Sequence, residues 1–313
     1  MLKRSLTSLA IMALLIGSFA LRFVSPYFFD AMIGIIVVMS AYEVCEVFIK
    51  NSRKNDIYLV VSYGVLIYLS LILSIKTHKN LAIYFAITLG VFALVLLAMF
   101  IINKCSKNKN NKEMIDCKFN GNYNQYVGKK VGLDAFLLMY PVFLLSVLFA
   151  LNHLSEFSYF ASSNAKGVEF LMLVLTFATT IMTDTGAYLV GSALKGKKLC
   201  PTISPNKTIS GAIGGLVCSV ATSLALFAIF GAITEYSAMF NAYNINIIAF
   251  AVYGIVASVA SQFGDIFASL VKRQNGVKDY GNIFPGHGGF MDRVDGISFN
   301  AVISLVFAIF LFI

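Results

Sequence analysis

The run LAIYFAITLGVFALVLLAMFII, Leu81–Ile102, holds no Asp, Glu, Lys or Arg. As a helix rising about 1.5 Å per residue it reaches across a hydrocarbon core of roughly 30 Å. Lipid offers no partner to backbone polar groups, so such a run reads as a membrane-spanning helix. Runs of similar length lie on both sides of it. Nine candidate spans emerge, approximately Ser5–Leu21, Phe29–Phe48, Ile57–Ile75, Leu81–Ile102, Ala135–Leu151, Val168–Val190, Ile209–Ile233, Ile245–Val271 and Ile297–Ile313. Hydrophobic residues are 58% of the chain and charged residues 12%, about half the charge of an ordinary soluble domain. The expected class is all-α: a polytopic transmembrane helical bundle of nine helices. The eighth is long enough to tilt or project from the bilayer.

The charged loops set an orientation. With the amino terminus in the cytoplasm, one side holds Lys3, Arg4, Lys50, Arg53, Lys54, the lysines from Lys104 to Lys130, Lys195, Lys197, Lys198, Lys207, Lys272, Arg273, Lys278 and Arg293. The other holds only Arg22, Lys76, Lys79 and Lys166. This is a strong positive-inside bias, and it puts the carboxyl terminus outside. The net charge of +9 therefore marks topology and anionic lipid, not nucleic acid. Cys45, Cys105, Cys117, Cys200 and Cys218 form no CxxC pair and read as reduced thiols. Ser18-Phe19-Ala20 weakly resembles a cleavage site, but a first membrane helix is the simpler reading.

The two halves differ. Residues 1–133 hold the first four spans and a basic cytoplasmic loop. Residues 134–313 hold spans five to nine, and polar residues become specific there. Asn103–Asp134 is rich in Asn and Lys and reads as a solvated, partly disordered loop. Glu43 and Glu46, at the inner end of span two, carry no assigned role. From Gly264 the sequence runs GDIFASLVKRQNGVKDYGNIFPGHGGFMDRVDG. On a helix Asp265, Ser269 and Lys272 share one face, with Arg273 beside it. A cytoplasmic loop then carries Lys278, Asp279, His287, Asp292, Arg293 and Asp295, with Gly286, Gly288 and Gly289 around the histidine. Such glycines let backbone approach a ligand, and their amides can form an anion-binding nest. Taken alone, Asp292, Arg293 and Asp295 read as a surface ion-pair cluster, and Asp184 and Asp265 have bundle ion pairing as their alternative. Gly211 and Gly215 form GxxxG, which reads as close helix packing. His78 and His153 sit at outer loops and need no role.

The segment resembles the signature of the phosphatidate cytidylyltransferase (CDP-diacylglycerol synthase) family. Ser269, Lys272-Arg273, Lys278-Asp279, His287-Gly288-Gly289 and Asp292-Arg293-Val294-Asp295 stand in the family's order and spacing. Ala268 stands where many members have Glu. Asp184, Tyr188 and Pro201–Thr208 are similar to its Asp-x-x-Ala-Tyr and Ser-Pro-x-Lys-Thr elements. Asn206 replaces a frequent second lysine, and Ser210 a frequent Glu. The likeness runs from about Asp134 to the end, including the Tyr140-Pro141 step. The first four spans match in general character only.

The resemblance implies a metal-dependent enzyme at the cytoplasmic face of a bacterial-type plasma membrane. CTP and phosphatidic acid become CDP-diacylglycerol and pyrophosphate. It implies Mg²⁺, alone or with a monovalent cation, because two anionic reactants must be neutralised and aligned. Asp265 and Asp292 are the first expected metal ligands, with Asp184 and Asp295 next. Their Asn variants are expected to keep the fold and lose transfer. Asp265, Ser269, Lys272, Arg273, His287 and Asp292 form the expected catalytic set. His287 is expected to contact phosphate or order the loop, since the substrate phosphate needs no strong base. Tyr188, Ser204, Lys207, Thr208, Lys278, Gly288, Gly289 and Arg293 are expected to bind substrate. Expected partners are CTP, phosphatidic acid, membrane lipid and a second copy of the chain as a homodimer. The rivals are a related cytidylyltransferase on another lipid phosphate and a polytopic transporter. A transporter predicts polar residues at the bilayer midplane in several helices, whereas these cluster at inner helix ends. A CDP-alcohol phosphotransferase is set aside because its downstream motif does not follow Asp295-Gly296.

Overall fold

A computed structural model describes residues 2–48, 54–77, 80–105, 123–160, 167–284 and 288–312. His287, His78 and the loop lysines from Lys107 to Lys118 lie outside the described residues. The helices are α1 (Leu2–Arg22), α2 (Pro26–Phe48), α3 (Lys54–Thr77), α4 (Leu81–Cys105), α5 (Tyr123–Leu137), α6 (Leu144–Asn152), α7 (Val168–Leu194), α8 (Ile209–Gly231), α9 (Thr234–Ala242), α10 (Ile247–Gln274) and α11 (Met291–Phe312). Among the described residues, eight helical segments are long and apolar enough to cross a membrane, and Leu9–Arg22 adds a shorter apolar helix. The chain is a polytopic all-α bundle, with one antiparallel hairpin, β1 (Lys198–Cys200) and β2 (Ser204–Thr208).

Three boundaries depart from expectation. First, the stretch expected to be loop up to Asp134 is helical from Tyr123. No proline interrupts it before Pro141. Asp134 is buried without exposing its charge because Lys130, one turn earlier, pairs with it at 3.0 Å. Phe136 anchors the same helix against Phe48, Tyr140 and Phe267. Second, α5 joins α6 through a π-helical turn, Leu138–Phe143, kinked at Tyr140 before Pro141, as the missing proline N–H requires. Third, the last helix begins at Met291, two turns before Ile297. Asp292, Arg293 and Asp295 thus stand on helix, not loop. The cause is remote: the Glu43 carboxylate, on α2, accepts the Phe290 and Met291 amides at 3.0 Å each. A helix start needs such acceptors.

The helices of the second half pack through small residues. A Cβ on Gly186 of α7 falls 2.5 Å from Cys218 Sγ and 2.9 Å from the Gly214 carbonyl on α8. One on Gly211 falls 2.7 Å from the Ala187 carbonyl, and one on Gly215 falls 2.8 Å from that of Thr183. Gly211 and Gly215 are therefore packing residues, and backbones meet along this seam. Polar side chains then fix register. Asn300, near the middle of α11, donates to the Thr176 carbonyl and to Thr179 and Thr180 Oγ1 at 2.9–3.0 Å. Ser219 and Ser223 of α8 donate to carbonyls of α10 at 2.8 and 2.7 Å. These mid-helix groups are uncharged and tie α7, α8, α10 and α11 together.

At the other end of the bundle from the acidic segment, Asp30 of α2 is buried. It accepts from Tyr68 at 2.8 Å and Asn152 at 2.9 Å, and pairs with His153 Nε2 at 2.8 Å. His153 also bonds Glu156 through Nδ1. So this histidine is a buried cross-link and not an idle loop residue.

Candidate functional site

The carboxyl-terminal halves of α7 and α10, the start of α11 and the hairpin converge. The α7–α8 seam brings Asp184 to this place, since α8 springs directly from β2. Thr208 caps α8: its Oγ1 accepts the Gly211 amide at 3.1 Å. Its neighbour Lys207 reaches α10, where Nζ lies 2.6 Å from Asp265 Oδ2. That ammonium is closed to solvent and outside hydrogen-bond alignment, so the contact is one of charge. The Asp265 side chain is 36% exposed. Asp184 lies within electrostatic reach of Asp265, Lys207 and Arg293. It is exposed at the surface.

The second pair is tighter. Lys272 Nζ donates to Asp292 Oδ1 at 2.6 Å, with both side chains largely buried. The Tyr280 ring sits 5.3 Å from that ammonium. Asp292 Oδ2 accepts the Tyr280 and Gly289 amides at 2.9 and 3.0 Å. Gly288 has φ of +82°, and a Cβ there falls 2.7 Å from Asp292 Oδ2, so glycine is required for this approach. The Gly289 amide, expected to face an anion, is taken by the chain's own carboxylate. Burial pushes the Tyr280 phenol above its ordinary range, which keeps it neutral.

The remaining candidates are placed as follows. Ser269 is half-buried between Asp265 and Lys272 on α10. Arg273 is exposed and ties two loops, donating to the Ile203 carbonyl of the hairpin at 3.4 Å and to Val277 at 3.1 Å. Lys278 and Arg293 are exposed, Ser204 is half-buried at the start of β2, and Tyr188 is 74% exposed on α7. Asp295 is buried; its Oδ1 accepts the Gly296 amide at 2.8 Å. It lies within electrostatic reach of Asp265, Lys272 and Asp184.

Asp265 and Asp292 thus sit in two separate ion pairs. Among the described residues, no group of three or more His, Cys, Asp or Glu side chains is placed to hold a metal ion. An all-protein cage is absent there. Asp265 and Asp184 nevertheless offer accessible carboxylate oxygen, which fits Mg²⁺, an ion that takes one or two carboxylates and completes its shell with phosphates and water. Asp292 fits less well, because both its oxygens are engaged. Glu43, which like Glu46 has no role assigned from the sequence, bears on this site through the start of α11; its only sequence signal is an acid near the end of an apolar span.

The sequence profile of the cytidylyltransferase family matches residues 3–312. Phosphatidate cytidylyltransferases of Staphylococcus haemolyticus (strain JCSC1435) and Staphylococcus aureus (strain COL) are each 39% identical over 143 residues, 46% of this chain and 50% of the relative. That of Staphylococcus saprophyticus is 37% identical over the same length. The chain thus spans about half the length of the curated relatives it matches.

Proposed function

The chain belongs to the cytidylyltransferase family, and we propose that it transfers CMP from CTP to phosphatidic acid, giving CDP-diacylglycerol and pyrophosphate. The observation that carries this reading is the gathering of Lys207, Lys272, Arg273 and Arg293 with Asp184, Asp265 and Asp292 at one end of a membrane bundle. Two anionic reactants, one water-soluble and one lipid, need cations at a membrane edge. A phosphate oxygen of phosphatidic acid attacks the α-phosphorus of CTP. The bond from that phosphorus to the bridging oxygen breaks, and pyrophosphate leaves.

Lys207 and Lys272 neutralise phosphate oxygens once substrate competes with their carboxylate partners. Arg273 holds the hairpin against the α10–α11 turn, and Arg293 lies within electrostatic reach of Asp184. Mg²⁺, held by Asp265 and Asp184, would supply charge neutralisation of the polyphosphate. The Lys and Arg bias supports a cytoplasmic location for this end, where CTP is available.

The test uses the full chain in detergent micelles with labelled CTP, phosphatidic acid and Mg²⁺. CDP-lipid and pyrophosphate are expected in equal amounts, with neither formed after chelation of the metal. Replacing CTP by ATP or GTP, or phosphatidic acid by diacylglycerol, is expected to abolish product. Equal turnover of diacylglycerol would sink the reading.

A further inference from the structure

We propose that Glu43, contributed by α2 from the amino-terminal half, is a positioning residue for the turn that aims Lys272, Asp292 and Arg293. The proposal rests on the nucleotidyl-transfer reading above. Glu43 is 2% exposed. Its two oxygens are spent one each on consecutive amides, Oε1 on Phe290 and Oε2 on Met291, at 3.0 Å. A Cβ on either Gly281 or Gly289 would run into the carboxylate, so the turn wraps it from both sides.

The geometry demands a carboxylate. Two parallel donors from neighbouring residues need two acceptors on one planar group. Glutamine offers a single acceptor and would set its NH₂ against an N–H. Aspartate falls one methylene short. The negative charge also meets the positive end of α11. Asp292, one residue on, holds the same turn from the opposite side through the Tyr280 and Gly289 amides and Lys272. Residues 288–291 are thereby clamped between two carboxylates from different helices. Release of one clamp lets the first turn of α11 shift, and Arg293 and Asp292 shift with it. Glu43 touches no reacting atom; it acts through the turn.

The experiment compares full-length Glu43→Gln, Glu43→Asp and Glu43→Ala, with exposed Glu46→Gln as control. Hydrogen exchange over residues 288–291, thermal midpoint, and kcat and KM for CTP are measured, with kinetics run well below the midpoint. Glu43→Gln is expected to speed exchange in that segment and to lower kcat about 10- to 100-fold with little change in KM, as misplacement near 1 Å does. Glu43→Asp is expected to be intermediate, and Glu46→Gln unchanged. Wild-type exchange and kcat in Glu43→Gln would overturn the proposal. So would an activity loss that vanishes on cooling, since that marks a stability role alone. If Glu43→Ala does not fold, the Gln and Asp variants decide. If the wild type forms no CDP-lipid at all, the transfer reading fails, while the exchange result still judges the clamp.

Discussion

Asp265 and Asp292 are alike in the sequence and unlike in the fold, and their Asn variants separate the two. Asp292 is 4% exposed and Lys272 10%. In Asp292→Asn the side-chain carbonyl can keep the Tyr280 and Gly289 amides, but its NH₂ then faces the Lys272 ammonium. A buried cation is left without its counter-charge, which costs about 3–5 kcal/mol. Asp265 is 36% exposed and its partner Lys207 23%. Water reaches the carboxylate of that pair but not the Lys207 ammonium, so Asp265→Asn costs less than Asp292→Asn and more than the ~0–1 kcal/mol of a fully exposed pair. Both variants are expected to lose transfer, Asp265→Asn with the smaller loss of stability and Asp292→Asn with the larger. Thermal unfolding in detergent, followed by far-ultraviolet circular dichroism, measures this beside activity. Adding Lys272→Met to Asp292→Asn removes the stranded charge and is expected to restore part of the lost stability. Equal stability of the two single variants, or no rescue in the double, would refute the assignment of Asp292 as a structural anchor.

Gly186→Ala drives a methyl into Cys218 and the Gly214 carbonyl and is expected to cost about 1–3 kcal/mol, while Gly90→Ala, which meets nothing within 4 Å, is expected to be neutral; unfolding midpoints decide. For His153, burial opposes the charge, but hydrogen bonds and charge from Asp30 and Glu156 outweigh it and raise the pKa above 6.5. The stability from this link is therefore expected to be full below pH 6.5 and to fade as pH rises through the higher folded value; His153→Gln should flatten that slope in midpoints taken from pH 5 to 9.

The spans were legible because lipid imposes a length and a composition, as at Leu81–Ile102. The seam of Gly211 and Gly215 was legible because small residues have one main use between membrane helices. The start of α11 was not legible. Its N-terminal amides are satisfied by Glu43, 247 residues from Phe290, and no local pattern announces such a cap. The acids and bases of the site could be named from spacing, but their pairing could not. Lys207 with Asp265 and Lys272 with Asp292 depend on where a hairpin and a turn fold back. Asp134 failed as a loop marker because Lys130 neutralises it one turn away, an interaction that composition averages conceal.

The same physics explains why α2 carries acids at both ends. In lipid an apolar helix gains little by choosing one depth against its neighbours, since the hydrocarbon is as apolar as leucine. Polar contacts supply the choice. Asp30 is tied to α3 through Tyr68 and to the end of α6 through Asn152 and His153. Arg22 extends the link to α1 by donating to Asn152 Oδ1 at 2.7 Å. Thirteen residues later, about 20 Å along the helix axis, Glu43 grips the start of α11. Neither anchor tolerates a slip of one residue, because helix rotation by about 100° per residue carries the carboxylate off its partners. Between them the buried face of α2 is apolar apart from Ser40, with Ile33, Val37 and Ala41 buried. That face supplies adhesion and the two carboxylates supply register. The first half of the chain therefore matters to the second through the depth at which α2 delivers one carboxylate to the turn beside Asp292.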